Sequence, residues 1–473
     1  MTNNEKYNEF REKYPIFRYK SFELAEDGSF IFIKYHFETD GLSEFFPTIK
    51  ISKKNLKILN KFDSDTGRAI VFSLGMVEAV SYLKITGSPL MKVECGKLGD
   101  DDVNFWKKLY YKGLGEYFYR NGIDVSFSEF LTIESGGEDL YYLSKENEKN
   151  KINITPDASL VPVGGGKDSA VTAELVKKHG GRCLFFTVND QKARTDTVLR
   201  AGYSENDIVR TERTLSPEML ELNKRGFLNG HTPFSAIVAF LSYYAAYLTG
   251  SENIVLSNES SANSGNLTGL EINHQYSKSY EFEIDFRNYC ISHFTDKISY
   301  FSILRPFSEL QIASYFASFP KYHDVFRSCN RGSKKNVWCC GCAKCLFVFS
   351  MMSAFLSPEK VTDIFGENLF EKASLKDDFE GLTGINPVKP FECVGTSSET
   401  KYALAMAVKK YYGTDKDKLP YLMKIFVQNF NTDEILKENP FKNFNNKNNI
   451  PDKFLPEVKE MYDYVGRHSC KIS

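Results

Sequence analysis

The sequence carries no excess of either charge: 60 Lys and Arg stand against 61 Asp and Glu, a formal net charge of -1. That balance removes the simplest route to nucleic-acid binding, a basic excess that displaces counterions, and leaves only a local basic groove. Long apolar runs are missing too. The longest, residues 236–248, holds thirteen residues including Ser242 and is too short to cross a bilayer. Residues 1–14 are charged and polar, without the apolar stretch a secretory signal requires. No internal repeat of fixed period is visible. A soluble, cytoplasmic chain is expected.

With 42% hydrophobic and 26% charged residues, a sizeable core is available, which excludes disorder and a collagen-like fibre. A length of 473 residues predicts two or three domains. Of ten cysteines, five fall between Cys329 and Cys345, while Cys95, Cys183, Cys290, Cys393 and Cys470 are scattered. A disulfide framework would be small and evenly stapled. Local crowding in a large chain reads instead as metal binding in a reducing compartment.

Residues 21–52 alternate, with Ile31, Ile33 and Tyr35 set against Phe30, Phe32 and Lys34, and turns at Asp27-Gly28 and Asp40-Gly41. This predicts a small antiparallel sheet. Residues 67–90 and 101–122 take helical spacing, placing Leu109, Leu114, Tyr117 and Phe118 near one face. An N-terminal α+β domain over residues 1–150 follows, with the charged stretch 145–151 as its linker. From Leu160 the pattern changes. Apolar strands at 160–163, 183–188 and 254–256 alternate with helices from about Ser169 to His179 and over 233–248. That alternation predicts an α/β, doubly wound parallel sheet over residues 151–350. Residues 351–473 read as a mostly helical C-terminal region, with the Asn- and Lys-rich stretch 442–449 as a solvated surface loop.

Gly164-Gly165-Gly166-Lys167-Asp168-Ser169 lies between strand and helix. Glycine permits positive φ and close approach of the backbone to a ligand. The N–H groups of the turn and first helical residues then face an anion, helped by the helix dipole. Ser169 can donate its hydroxyl to a phosphate oxygen, Lys167 adds charge, and Asp168 can hold magnesium or cap the helix. The spacing is neither that of a Walker loop nor the dinucleotide Gly-x-Gly-x-x-Gly. A glycine turn that merely caps a helix is the plainer alternative. The segment resembles the PP-loop of the ATP pyrophosphatase superfamily, with Gly164 in place of the usual first serine. The resemblance implies an adenine nucleotide alpha hydrolase-like sheet that cleaves ATP between its α- and β-phosphates. It also implies that Val188 and Asn189, followed by Asp190, lie near the adenine and ribose.

Cys329-x9-Cys339-x2-Cys342-x2-Cys345 offers four thiolates at spacings suited to tetrahedral zinc. Cys340 can exchange places with Cys339 in this reading. An iron–sulfur cluster also uses four thiolates, and buried unliganded cysteines remain the bland alternative. A closed four-thiolate site is structural and leaves no open catalytic position.

Three polar strings lie between loop and cluster: Asn229-Gly230-His231-Thr232-Pro233, residues 257–266 with Asn258 and Glu259, and residues 273–283. The second follows the strand 254–256, where a ligand crevice opens in such sheets. Together with Leu304-Arg305-Pro306-Phe307-Ser308-Glu309-Leu310, Ser328-Cys329-Asn330-Arg331, Lys389-Pro390-Phe391-Glu392-Cys393-Val394-Gly395 and Gly113-Leu114-Gly115-Glu116-Tyr117, they resemble the MurL-type epimerases over about residues 70–400. That resemblance implies inversion of the terminal L-glutamate of UDP-N-acetylmuramoyl-L-alanyl-L-glutamate, with ATP and Mg2+ consumed and AMP and diphosphate released. It implies no nucleic-acid or membrane partner. Inversion needs an acid and a base near Cα, for which His274, Tyr276, Lys278, Cys393 and His231 are the candidates. Arg305 and Arg331 are candidates to clamp a carboxylate or the UDP diphosphate. Competing readings are a PP-loop enzyme that amidates a carboxylate or forms a nitrile, a tRNA-modifying enzyme, and a nucleotide sensor without turnover.

Overall fold

The computed structural model describes residues 2–54, 56–148, 152–263, 276–390, 392, 394–413 and 418–469. His274 and Cys393 lie outside the described residues. Among the described residues, eleven strands form one sheet: β1 (Ile16–Glu26), β2 (Phe30–Thr39), β3 (Ser43–Phe45), β4 (Thr48–Ser52), β5 (Leu90–Val93), β6 (Thr132–Ser135), β7 (Thr155–Pro162), β8 (Cys183–Val188), β9 (Ile208–Thr214), β10 (Ser251–Leu256) and β11 (Ser299–Ser302). The order is β11-β10-β7-β8-β9-β4-β2-β1-β5-β6, with β3 beside β2.

From β11 to β9 every neighbouring pair is parallel. The chain enters this half at β7, adds β8 and β9 on one side, then returns to add β10 and β11 on the other. The winding therefore reverses between β7 and β10, the place where such sheets open a crevice beyond their carboxyl ends. The predicted parallel sheet is present, and the alternating N-terminal strands pair antiparallel as β1, β2 and β4. The two halves are joined. β4 pairs antiparallel with β9, Thr48 opposite Thr214 and Ile51 opposite Thr211. The boundary expected near residue 150 thus lies within one continuous sheet, and the charged stretch at 145–151 begins inside the helix Leu140–Glu148.

Strand alternation gives the sheet two cores, one per face. Leu184, Phe186, Ile254 and Leu256 join one; Cys183, Phe185 and Val255 join the other. Helices Asp65–Leu83, Asp100–Gly113, Phe234–Thr249 and Tyr280–His293 cover the first face, and Lys167–His179, Glu309–Ala317, Ala343–Ser353, Ser397–Ala407 and Leu455–Ser469 the second. Phe234–Thr249 is apolar all round because it is buried against both the sheet and Asp65–Leu83. Among the described residues no helix is long and apolar enough to cross a membrane.

Two local expectations are corrected. The helix expected to reach residue 90 stops at Leu83, and Leu90 opens β5 beside β1. The stretch 442–449 is docked as well as solvated. Asn445 N–H donates to the Pro306 carbonyl at 3.0 Å, Gln311 Nε2 to the Asn443 carbonyl at 2.9 Å, and Asn449 Nδ2 to Glu283 Oε1 at 2.9 Å. Backbone groups of Asn443 and Asn445 and the side-chain amide of Asn449 thus tie the stretch to the elements beside it.

Candidate functional site

The glycine loop leaves β7 at the reversal point and feeds the helix Lys167–His179, whose N-cap is Gly166. Gly165 has φ +81°, and a Cβ there would come within 3.0 Å of Ala193 Cβ. A Cβ at Gly166 would meet Ser328 Cβ at 3.3 Å. The loop is therefore packed from behind, with its first-turn N–H groups beyond the reach of intrahelical acceptors. Ser169 Oγ accepts from the Gly164 N–H at 2.9 Å and closes the turn.

Lys167 points inward. Its buried ammonium donates to Asp168 Oδ1 and Glu309 Oε2. Burial opposes that charge, but the two carboxylates outweigh it and hold the ammonium above its ordinary range. Glu309 is raised by its own burial, with Asp168 and Glu259 adding to the shift and Lys167 opposing it. Its backbone N–H donates to Glu399 Oε1 at 2.7 Å, and Glu399 is likewise raised by burial. Gly395 fits between them: a Cβ there would lie 2.9 Å from Glu399 Oε2 and 3.1 Å from Glu309 Cγ. Lys389 is half-buried near Glu399, Glu259 and Glu309, and burial lowers it in spite of them. Acidic groups drawn from four distant stretches thus gather behind the loop.

The cysteine reading resolves in the same neighbourhood. The sulfurs of Cys329, Cys339, Cys342 and Cys345 all lie within 4.8 Å of one another. Cys339 and Cys345 are 3.7 Å apart, Cys342 and Cys345 3.6 Å. A tetrahedron with Zn–S bonds of about 2.3 Å has sulfur–sulfur edges of about 3.8 Å, so the four residues fit one metal ion such as zinc. Thiolates on different irons of a cluster would stand farther apart. Cys340 is turned away by a left-handed backbone, φ +52°, and its thiol reaches the Phe365 carbonyl at 3.3 Å. The cluster touches the loop directly, for Arg327 N–H donates to the Gly165 carbonyl at 2.7 Å, two residues before Cys329.

The N-terminal MurL domain model matches residues 8–303, and the C-terminal MurL domain model residues 325–437. The chain belongs to the MurL family. UDP-N-acetyl-alpha-D-muramoyl-L-alanyl-L-glutamate epimerase of Xanthomonas oryzae pv. oryzae is 32% identical over 346 residues, covering 71% of this chain and 74% of that one. Proteins of the same name from Salinispora tropica and a Micromonospora species are each 34% identical, over 347 and 343 residues. They cover 70% and 71% of this chain, and 72% and 74% of their own lengths. No solved structure matches the chain.

In this MurL-family chain the other sequence candidates fall into four places. Asn189, at φ +52°, bonds the Arg213 backbone through both amide atoms, Oδ1 accepting at 2.7 Å and Nδ2 donating at 3.1 Å. Val188 and Asn189 offer their carbonyls to Arg194 Nη1. Asn189 borders a cleft of about 590 Å³ at the carboxyl ends of β8 and β9, with Asp190, Lys192, Arg210 and Lys334. Arg305 is wholly buried, donating to the carbonyls of Glu259 at 3.2 Å and Lys278 at 2.8 Å and to Glu283 Oε2 at 3.0 Å. It fastens the polar segment, and Asn258 is fixed beside it by Ser302 Oγ, which donates to its carbonyl at 2.7 Å. Arg331 Nη1 donates to the Gly341 carbonyl at 3.0 Å beside the cysteines.

The acid–base candidates Tyr276 and His231 sit on the opposite face of the sheet, around the helix Asp100–Gly113. Tyr276 Oη donates to Asp285 Oδ2 at 3.2 Å beneath Lys112, and burial raises it first, with Asp285 and Glu281 adding. Pro233 packs against Gly113, where a Cβ would come within 2.8 Å. Glu309, Glu399 and Lys389 were inside or beside recognised motifs but carried no role there; an acidic residue after Ser308 reads simply as a helix start.

Proposed function

We propose that the chain is an epimerase that inverts the terminal L-glutamate of UDP-N-acetylmuramoyl-L-alanyl-L-glutamate in an ATP-dependent reaction through an acyl-adenylate. The observation that carries this is the glycine loop at the sheet's reversal point, backed by Lys167 and its carboxylates, in a chain whose named relatives are such epimerases. The substrate explains the need for ATP. Its glutamate nitrogen lies in an amide and cannot form a Schiff base, and removing an α-proton beside a carboxylate would create a dianion. Adenylation neutralises that carboxylate and makes the enolate reachable. The loop's N–H groups and the helix dipole suit phosphate oxygens, and Asp168, with a partly exposed carboxylate, is the residue to hold magnesium. Lys167 orders the loop from beneath. Cys329, Cys339, Cys342 and Cys345 would hold a structural zinc, which supplies cross-linking and no chemistry.

In deuterated water with ATP and magnesium, the L-Glu dipeptide is expected to return as D-Glu carrying deuterium at Cα, with AMP and diphosphate released. Omitting ATP, or supplying an analogue uncleavable between the α- and β-phosphates, should stop exchange and inversion together. Full inversion without ATP overturns the adenylate mechanism. AMP release with an unchanged L-Glu centre moves the chain to carboxylate amidation or nitrile formation.

A further inference from the structure

The string Asn229-Gly230-His231-Thr232-Pro233 is bolted down at every residue. Asn121 Nδ2 donates to the Asn229 carbonyl at 3.1 Å, and Pro233 rests on Gly113. Lys84 Nζ donates to the Gly230 carbonyl and, at 2.7 Å, to Thr232 Oγ1, so one ammonium grips both neighbours of His231. His231 Nδ1 lies 3.3 Å from Glu116 Oε2, and Glu116 is held in turn by Arg120 Nε at 3.1 Å. The nearby Arg213 is engaged by the buried Glu78, Nε to Oε2 at 2.7 Å.

Lys84 is only 3% exposed, and among the described residues its ammonium donates to a neutral carbonyl and a hydroxyl. Burying an ammonium against neutral acceptors alone is expensive. The string also precedes the helix Phe234–Thr249, which packs on β7, β8 and β10 and then feeds β10. Its N-terminus is therefore at the carboxyl edge of the sheet, the edge that carries the glycine loop.

We propose that His231 carries the proton on one face of the glutamate Cα, and that Glu116 and Lys84 are its positioning residues. This rests on the epimerase reading above. Neutral His231 takes the Cα proton, and the C–H electron pair passes into the enolate of the activated carboxyl. A protonated acid on the other side of Cα delivers a proton to that face, and water then hydrolyses the mixed anhydride to AMP and the D-glutamyl carboxylate. The imidazolium then releases its proton to solvent, and the opposite acid is reprotonated from solvent.

The test separates activation from inversion. Labelled diphosphate exchange into ATP, dependent on the UDP-muramoyl dipeptide, reports adenylation alone; Cα deuteration from each epimer reports proton transfer. His231→Gln should keep diphosphate exchange within about twofold and lose deuteration from one epimer by about 100-fold or more. Glu116→Gln and Lys84→Met should lower inversion by about 10- to 100-fold with the same retention of exchange, and Glu116→Asp should restore part of it. If Lys84→Met fails to fold, Thr232→Val removes one of its acceptors and should show the same split. Inversion at the wild-type rate by His231→Gln overturns the inference while leaving the epimerase reading intact. Parallel loss of diphosphate exchange and inversion in every variant overturns it too, since the string would then be merely structural. A wild-type chain that exchanges diphosphate without inverting glutamate removes the epimerase reading and this inference together.

Discussion

Lys167 and Lys84 are both buried lysines, and their surroundings set them opposite tasks. Lys167 is held by Asp168 and Glu309, so removing the buried Glu309 leaves its ammonium with the partly exposed Asp168 alone. Glu309→Gln is expected to destabilise the chain by on the order of 3 kcal/mol and to depress AMP formation, read by denaturant unfolding and AMP release. Asp168→Asn, at a partly exposed carboxylate, should abolish AMP formation with a smaller loss of stability; normal turnover would contradict the phosphate-loop reading. For Lys84, burial with Arg213 adding to it lowers the ammonium from 10.5 to about 8. Between those values the unfolded chain binds more protons than the folded one, so stability rises with pH across the window. Relative to Lys84→Met, the wild-type unfolding free energy should climb from pH about 8 to 10.5 by up to ~3 kcal/mol. A flat difference between the two proteins would show that Lys84 is not desolvated.

At the scale of elements, the cysteine cluster and the glycine loop form one unit. The Arg327 N–H bond to Gly165 and the contact of Ser328 with Gly166 tie the loop to the chain that enters at Cys329. Purified protein is expected to carry one zinc per chain by elemental analysis. Cys342→Ser should lower metal content and stability together, whereas Cys340→Ser, at a thiol turned to Phe365, should keep the metal. Stripping the metal should also speed amide hydrogen exchange at residues 164–169. Unchanged protection there would mean that the cluster stabilises the C-terminal helices without bracing the loop.

At the scale of the whole molecule, the β4–β9 pairing joins what the sequence divides. Strand β4 gives its free edge to β9, and the core on that face mixes residues from both sides of position 150. Residues 1–150 and 151–473 expressed as separate fragments are therefore expected to be insoluble or molten alone, and to recover cooperative unfolding only when co-expressed. A fragment 1–150 with sharp near-UV circular dichroism and a cooperative melt would establish an independent N-terminal domain.

The sequence by itself determined the elements whose reasons are local. The glycine loop is written between an apolar strand and a helix, the four clustered cysteines lie within one short stretch, and the alternation of Ile31, Ile33 and Tyr35 sets the buried face of β2. The tertiary structure decided whatever depends on contacts between distant residues. Which of Cys339 and Cys340 faces the other thiols follows from a backbone angle. That Arg305 is a buried fastener, that Glu309 sits beneath Lys167, and that β4 finds β9 are pairings across long stretches of chain. Local pattern cannot encode them, because burial and charge pairing exist only once the two faces of the sheet have been covered. Lys84 shows this most plainly. In the sequence it falls inside the stretch 67–90 with helical spacing, and only the folded chain ends that helix at Leu83 and sets the Lys84 ammonium on Gly230 and Thr232, the two neighbours of His231.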